Sequence, residues 1–145
     1  MITAPFALLR ATYDQLRRCS AKKKECVAYW IGPADQLTLV DEVRHPVHVA
    51  SPQNYEVDSM WLHQLWIHLG KVQRSVRVQI HTHVGKAWHS PSDDMWPIIH
   101  TPGFLSLVVP HCAQDPIGQG LYLAEIDSTG HWREVPTADH LRFTR

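Results

Sequence analysis

The sequence of 145 residues has little cysteine and no long apolar run, and both shortages narrow the class of protein. Its three cysteines, Cys19, Cys26 and Cys112, are an odd number without Cys-x-x-Cys spacing. We therefore expect reduced thiols, and neither a disulfide framework nor a cysteine zinc knuckle. No apolar run approaches the roughly 20 residues that a membrane helix needs. The N-terminus also lacks a secretory signal pattern, so we expect a soluble, cytoplasmic protein.

The sequence also lacks a charge excess of either sign. Lysine and arginine together number 14, as do aspartate and glutamate, so the formal net charge is zero. A dedicated nucleic-acid surface would normally bring a basic excess, so we expect no nucleic-acid partner and no membrane partner. The length fits one domain over residues 1–145. A composition of 44% apolar and 19% charged residues is that of an ordinary globular protein.

Hydrophobic periodicity and turn residues predict two helices and several strands. The helices run from about Pro5 to Cys19, with Thr3 as the cap, and from Asp58 to Gly70. The predicted strands cover residues 26–31, 37–43, 76–84, 104–109, 121–126 and 132–135, and the segment 46–55 is expected to be irregular. Helices and strands do not alternate strictly. We therefore predict an α/β fold of the mixed α+β kind, with helices packed on a mixed sheet.

Histidine is the abundant residue, with 11 copies, and two of them form the triplet His81-Thr82-His83. About one such triplet is expected by chance in a chain this rich in histidine, so the motif alone is weak. Its position strengthens it. Side chains alternate faces along a strand, so both imidazoles project from one face of strand 76–84, opposite Val78 and Ile80. Two imidazoles placed in this way can bind one zinc ion.

Two further segments carry residues suited to hydrolysis. Ser90-Pro91-Ser92-Asp93 has the pattern of a capped helix start, which would hold the hydroxyl of Ser90 and the carboxylate of Asp93 on one edge. Two histidines and one carboxylate, with water in the fourth position, are typical of a catalytic zinc. Glu25 precedes the buried strand 26–31. It is either the last residue of a solvated Lys-Lys-Lys-Glu run or a general base beside the metal.

These segments, in this order, resemble the JAB/MPN (JAMM, Mov34-type) metallopeptidases, and above all their short prokaryotic members. That family has a glutamate opening an apolar strand that ends in glycine, matched here by residues 25–32. It has His-Ser/Thr-His at a strand end, matched by residues 81–83, and Ser-x-x-Asp after a loop, matched by residues 90–93. An apolar strand ending in proline often follows, as in residues 104–110. Each match is weak, but together they span most of the chain.

The resemblance implies a curved mixed sheet flanked by helices, in the cytidine-deaminase-like architecture of that family. It also implies that His81, His83 and Asp93 bind Zn²⁺, that Glu25 activates water, and that Ser90 stabilises the oxyanion. A zinc ion would lower the pKa of its bound water toward 7 and polarise the scissile carbonyl. A nearby carboxylate could then carry the proton from water to the leaving amine.

The chain departs from the family pattern at two places. Val84 stands where the family usually has proline, and the loop that leads to Ser90 is one residue shorter than usual. The usual spacing would select Asp94 as the third ligand, but Pro91 would then occupy the serine position. Because the Ser-x-x-Asp unit is kept only with Asp93, we prefer Asp93 and keep Asp94 as the alternative. His89 and His100 border the predicted site and are weaker candidates for contact with the metal or its water.

The resemblance implies an isopeptidase that cleaves after the C-terminal glycine of a ubiquitin or ubiquitin-like protein. The substrate would be a conjugate or a precursor, including a sulfur-carrier protein, and enzymes of a conjugation system would be partners. Two alternatives stay open: a non-catalytic MPN-type scaffold for protein assembly, and a small-molecule hydrolase that uses the same zinc. Other HxH families disagree at neighbouring positions. A histidine-triad hydrolase would need histidine where Gly85 stands, and neither His-Glu-x-x-His nor the deaminase Pro-Cys-x-x-Cys occurs.

Overall fold

The computed structural model describes residues 1–90 and 98–145. Within these ranges the chain forms ten strands, two long helices, one short helix and a short 3-10 helix at His111–Ala113. The elements in order are β1 Ile2–Pro5, α1 Phe6–Ser20, β2 Val27–Pro33, β3 Glu42–Arg44, β4 His48–Ala50, β5 Tyr55–Val57, α2 Ser59–Val72, β6 Arg74–Thr82, β7 Leu105–Val109, β8 Tyr122–Ile126, β9 Trp132–Glu134, α3 Thr137–His140 and β10 Leu141–Thr144. None of the helices in these two ranges has the length and apolar character needed to cross a membrane.

A six-stranded mixed sheet forms the centre of the molecule, with the strand order β3-β2-β6-β7-β8-β9. The pair β6 and β7 is parallel, and the other neighbouring pairs are antiparallel. One core lies between α1 and the sheet, and a second lies on the side of α2. This arrangement confirms the predicted mixed sheet with packed helices. The starts of β7 and β8 differ from the predicted ones by one residue.

Helix α1 packs against the sheet through its apolar stripe. Leu9, Tyr13 and Leu16 are buried, at the helical spacing that the sequence shows. The predicted cap Thr3 lies in β1 instead, and Pro5 holds the N-cap position without a side-chain hydrogen bond. The reason is that residues 2–5 pair in parallel with β10 and are extended up to the first helical turn.

Helix α2 begins where the sequence predicts and ends later. The Asp58 side chain accepts a hydrogen bond from the backbone N–H of Trp61 at 2.8 Å, which confirms the predicted cap. The helix continues through Gly70 to Val72 and ends at Gln73, whose positive φ of 53° and bond to Leu69 O form the left-handed cap. Its buried stripe follows Leu65 and Leu69, and the neighbouring Trp66 is 37% exposed.

A β-bulge divides the faces of β6 differently from the predicted alternation. Trp30 of β2 pairs with Val78, but the next residue, Ile31, pairs with Val76, so Arg77 is the extra residue. Val76 therefore faces the core beside α2, while Val78 faces the core beside α1. The alternation beyond the bulge is intact, and His81 shares the α2 side with its cross-strand neighbour Val27.

The segment between β2 and α2 is more ordered than predicted. The returning strand β3 pairs with β2 and is shorter and later than the predicted range 37–43. Residues 46–55, predicted to be irregular, include β4 and the start of β5, which pair as an antiparallel hairpin. Strands of three residues are too short for the period-two pattern to show in the sequence.

Gly32 ends the buried part of β2, where the sequence predicts a stop, and the structure shows why glycine stands there. A Cβ at this position would lie against the carbonyl oxygen of Leu39. The connection between β2 and β3 therefore folds back onto the strand at a distance that only glycine permits. This close approach anchors the end of β2 that is opposite to Glu25.

Candidate active site

The end of β6 places two buried histidines side by side. His81 is fully buried on the α2 side of the sheet, and His83, directly beyond the strand, is 6% exposed. Both belong to the face that the sequence analysis predicts for them, but that face is covered, whereas we expected a polar one. Two neighbours cover His81 on this face: Val27 lies opposite it, and Tyr55 packs its ring 5.3 Å from the His81 ring.

The separation of the two imidazoles fits joint binding of one metal ion. Their ring centroids are 5.2 Å apart, with an angle of 64° between the planes. Two rings that bind one zinc at about 2.0–2.1 Å in tetrahedral geometry have centroids about 5 Å apart. His81 and His83 therefore fit a metal ion without rearrangement of the backbone.

Backbone contacts hold His83 on both sides. Its N–H donates to Val109 O at 2.9 Å, and its carbonyl accepts from the N–H of Cys112 at 2.8 Å. The Nδ1 atom of its ring lies 3.3 Å from Lys86 O. A carbonyl partner needs the proton on Nδ1, which leaves Nε2 as the metal-binding atom, an orientation common among histidine ligands.

Glu25 joins this pair from the start of β2. Glu25 is only 4% exposed, although it follows three exposed lysines, so it does not belong to the solvated lysine run. Its backbone N–H donates to Ser51 O at 3.0 Å, in the β4–β5 hairpin. Its Oε1 atom lies 3.7 Å from Nε2 of His83. The structure thus places Glu25 beside the predicted metal ligands, as the sharper of its two interpretations requires.

A relative with a curated name decides the family. The chain is 34% identical over 143 residues to a protein of Sinorhizobium fredii named probable metalloprotease y4jG, and the match covers 94% of this chain and 88% of that protein. The chain belongs to the JAB/MPN metalloprotease family. No family model matches the sequence.

Solved structures show the JAB/MPN fold independently. A JAB1/MPN domain protein of Archaeoglobus fulgidus superposes with a TM-score of 0.54 at 13% identity, covering 99% of this chain and 97% of that one. A protein of Desulfitobacterium hafniense superposes with a TM-score of 0.72 at 15% identity, covering 100% of this chain and 94% of that one. At these identities the likeness concerns the fold alone.

The remaining predicted site residues of this JAB/MPN chain lie around or within the part of the chain that the structure does not describe. Ser90 is half-buried at the end of the first described range. Asp93, its alternative Asp94 and the predicted helix start lie outside the described residues. His100 is exposed. His89 is closer, with its ring 6.1 Å from the His81 ring.

A polar chain beside the histidines was not predicted from the sequence. Nε2 of Gln79 donates to Oγ of Ser106 at 3.0 Å, and Nε2 of His89 lies 3.2 Å from the same oxygen. The His89 ring also packs 4.7 Å from the Trp132 ring. Gln79 stands two residues before His81, so strand alternation does predict it on this face. The pairing of Ser106 with it depends on the parallel register of β6 and β7.

The cysteines differ from the expectation of three reduced thiols. The structure joins Cys19 and Cys26 in a disulfide with a Cα–Cα distance of 5.8 Å, and Cys112 is free and buried. The pairing arises because the Lys-rich loop returns the chain from α1 to β2. His45 and His48, on either side of Pro46 and Val47, lie beside the two sulfurs. Burial raises the pKa of the Cys112 thiol.

Proposed function

We propose that this chain is a JAMM-type zinc peptidase in which His81, His83 and Asp93 bind the metal. Glu25 and Ser90 are the catalytic residues. The observation that carries the proposal is the meeting of two buried imidazoles and one buried carboxylate at the end of β6. Burying a carboxylate is costly unless it is paired or binds a metal. A position for Glu25 beside two histidines is therefore better explained by chemistry than by stability.

Glu25 is suited to move the proton during hydrolysis. A zinc ion bound here would supply Lewis-acid polarisation of the carbonyl and a water of lowered pKa. Glu25 would accept the proton of the attacking water and donate it to the leaving amine. Its backbone bond to Ser51 and its position at the start of β2 hold the carboxylate in place between the two transfers.

Ser90 would donate a hydrogen bond to the carbonyl oxygen as negative charge develops on it. A donor placed where that charge forms contributes on the order of 3 kcal/mol to catalysis. The short link from His83 to Ser90, which passes Trp88 and His89, keeps the serine close in sequence to the histidine pair. The rings of Trp88 and His83 lie 6.2 Å apart, so Trp88 in this link lies beside the histidine pair.

The proposed substrate is a protein that ends in a glycine-rich tail of the ubiquitin-like type, as a conjugate or as a precursor such as a sulfur carrier. An extended tail can bind as an added strand, and the two-stranded β4–β5 hairpin reaches the site through Tyr55. Tyr55 and Trp88 flank the histidine pair with aromatic rings. A tail of glycines has no side chains that would meet these rings.

Cleavage of a fusion whose scissile bond follows a Gly-Gly tail tests the proposal. The wild-type chain should cleave it, and a chelator should abolish cleavage. Glu25→Gln should lower kcat by about 10²- to 10⁴-fold, because the proton carrier is lost, while zinc content stays unchanged. Glu134→Gln is the matched control, since Glu134 is exposed on the edge strand β9.

Turnover that survives the chelator would show that no metal is needed. A Glu25→Gln variant as active as the wild type would show that Glu25 is not the base. A chain that binds zinc and cleaves neither linear fusions nor isopeptide conjugates would act as a scaffold, which would overturn the proposal. Cleavage of the linear fusion alone would identify a precursor-processing enzyme within the same chemistry.

A further inference from the structure

A second group of potential metal ligands lies outside the site described above. Three parts of the chain contribute to it: Cys19 from the end of α1, Cys26 from the residue before β2, and His45 and His48 from the residue after β3 and the first residue of β4. One ligand atom from each residue lies within 4.8 Å of the other three. Two sulfurs and two imidazole nitrogens are a common donor set of structural zinc.

The two sulfur–nitrogen distances resemble edges of a zinc tetrahedron, and the two sulfurs, bonded to each other here, would separate when the ion binds. Sγ of Cys26 lies 3.2 Å from Nε2 of His45, and Sγ of Cys19 lies 3.5 Å from Nε2 of His48. Zinc bonds of about 2.3 Å to sulfur and about 2.0–2.1 Å to nitrogen place these atoms about 3.6 Å apart at a tetrahedral angle. The two imidazole centroids are 5.1 Å apart, close to the 5.2 Å of the His81–His83 pair.

The orientation of His48 supports a metal more than a disulfide. Its Nδ1 atom lies 3.0 Å from Pro46 O, a contact that needs a proton on Nδ1. In the neutral ring Nε2 then carries a lone pair, and it points at the sulfur of Cys19. A disulfide sulfur has no proton to give to this lone pair, whereas a zinc ion between them would bind both atoms. A carbonyl that fixes the distal nitrogen is also typical of histidine ligands.

We propose that Cys19, Cys26, His45 and His48 form a closed structural zinc site in the reduced chain, separate from the active site. Four protein ligands leave no position for water, so the site would stabilise the fold and perform no chemistry. The disulfide is the competing state of the same two sulfurs. A phosphine reductant and water convert it to two thiols, with oxidation of the phosphine to its oxide. Zinc then binds two thiolates and releases two protons.

The site would fasten the segment that carries Glu25. Cys26 follows Glu25 directly, its N–H donates to Oγ1 of Thr82 at 2.8 Å, and its carbonyl accepts from the N–H of Thr82 at 2.9 Å. Thr82 stands between the two catalytic-site histidines. A metal at Cys26 therefore ties the base, the end of α1 and the β3–β4 connection together without contact with the substrate.

Cobalt binding to the reduced chain tests the proposal separately from catalysis. The background is the double variant His81→Ala and His83→Ala, which removes the active-site ligands. After phosphine reduction, Co²⁺ should bind with one ion per chain and give a thiolate-to-cobalt charge-transfer band in the near ultraviolet with visible bands of tetrahedral intensity. Excess zinc should remove these bands. Cys112→Ala, which changes the cysteine outside the cluster, is the matched control and should keep them.

Substitutions within the cluster complete the test. His45→Ala should weaken cobalt binding at least tenfold. His45→Cys should retain binding and strengthen the charge-transfer band, which distinguishes loss of a ligand from loss of the fold. Absence of the band in the reduced background chain would overturn the proposal. A band that persists unchanged in Cys19→Ser would overturn it too, as would a cysteine pair that stays oxidised in the presence of excess phosphine.

Discussion

Two histidine pairs in this chain have nearly the same geometry and different surroundings. The rings of His81 and His83 lie 5.2 Å apart at 64°, and those of His45 and His48 lie 5.1 Å apart at 71°. The first pair is buried beside a carboxylate, and the second stands near the surface beside two sulfurs. Similar spacing of the rings therefore does not decide what a metal would do at either place. The other donors decide it.

The difference follows from the elements that carry each pair. His81 lies near the end of a central strand, where β2 and β7 hold the backbone on both sides, and the carboxylate of Glu25 lies beside His83. His45 lies between two short strands, and His48 begins β4, which pairs only with β5 in a two-stranded sheet. Two thiolates and two imidazoles complete a tetrahedron and exclude water. We accordingly expect chemistry at the first pair and cross-linking of the chain at the second.

The largest expected effect separates the pairs by activity. His81→Ala should reduce kcat/KM for the Gly-Gly fusion by more than about 100-fold, because even loss of a residue that only orients a metal ligand costs 10- to 100-fold. His45→Ala should stay within tenfold of the wild type. Equal losses in the two variants, measured at a temperature where both are folded, would show that the comparison is wrong.

The second effect concerns stability in the background that lacks His81 and His83. Zinc at a free concentration of 100 times its Kd stabilises a folded chain by about 2.7 kcal/mol. At about 2–4 °C per kcal/mol, the Tm of the reduced chain should rise by roughly 5–10 °C on addition of zinc. The oxidised chain is the control and should show no rise, and the His45→Ala variant, with a site at least tenfold weaker, should show at most about half of it. Equal shifts in the oxidised chain would place the metal elsewhere.

The first pair was predictable because its signal is local. Strand alternation places His81 and His83 on one face, and Glu25 follows from the order of motifs along the chain. The error at Val76 has a local cause as well, since the bulge at Arg77 inserts one residue into the alternation. A bulge is set by the pairing of two strands, so the sequence of one strand does not reveal it.

The cluster of the second histidine pair with Cys19 and Cys26 was not predictable, because the cysteines and the histidines meet only in the folded chain. Cys19 and Cys26 are seven residues apart, and a loop with left-handed residues brings them together. His45 follows β3 and His48 begins β4, and strands this short show no periodic pattern in the sequence. The position of these histidines in the fold depends on the β2–β3 and β4–β5 pairings. Side-chain clusters that depend on tertiary contact therefore escape spacing rules.

A smaller effect is expected where the two regions meet, at Thr82. Its Oγ1 accepts from the N–H of Cys26 and contacts the Ser20 hydroxyl, both at 2.8 Å and both buried. Thr82→Val keeps the shape of the side chain but removes the oxygen that the N–H of Cys26 and the hydroxyl of Ser20 contact. The free energy of unfolding should therefore fall by about 1–3 kcal/mol. Urea unfolding measures it, with the exposed Thr144→Val as control. Cobalt affinity at the cysteines and turnover should both fall, whereas a change in only one of them would show that the two regions are not linked through Thr82.

The smallest effect is expected at Ser106, which touches the first region only. Its hydroxyl joins Gln79 at 3.0 Å and His89 at 3.2 Å, and the His89 ring in turn stands 6.1 Å from that of His81. Ser106→Ala removes one oxygen from two partners, so turnover should fall by less than tenfold through the position of His89, while unfolding free energy drops by about 1 kcal/mol. The exposed Ser128→Ala is the control. Cobalt affinity at the cysteines should not change, because the side-chain partners of Ser106 are Gln79 and His89 and not the cluster residues. A change there would mean that the sheet transmits strain between the two pairs, and the contrast between the two sites would then no longer be local.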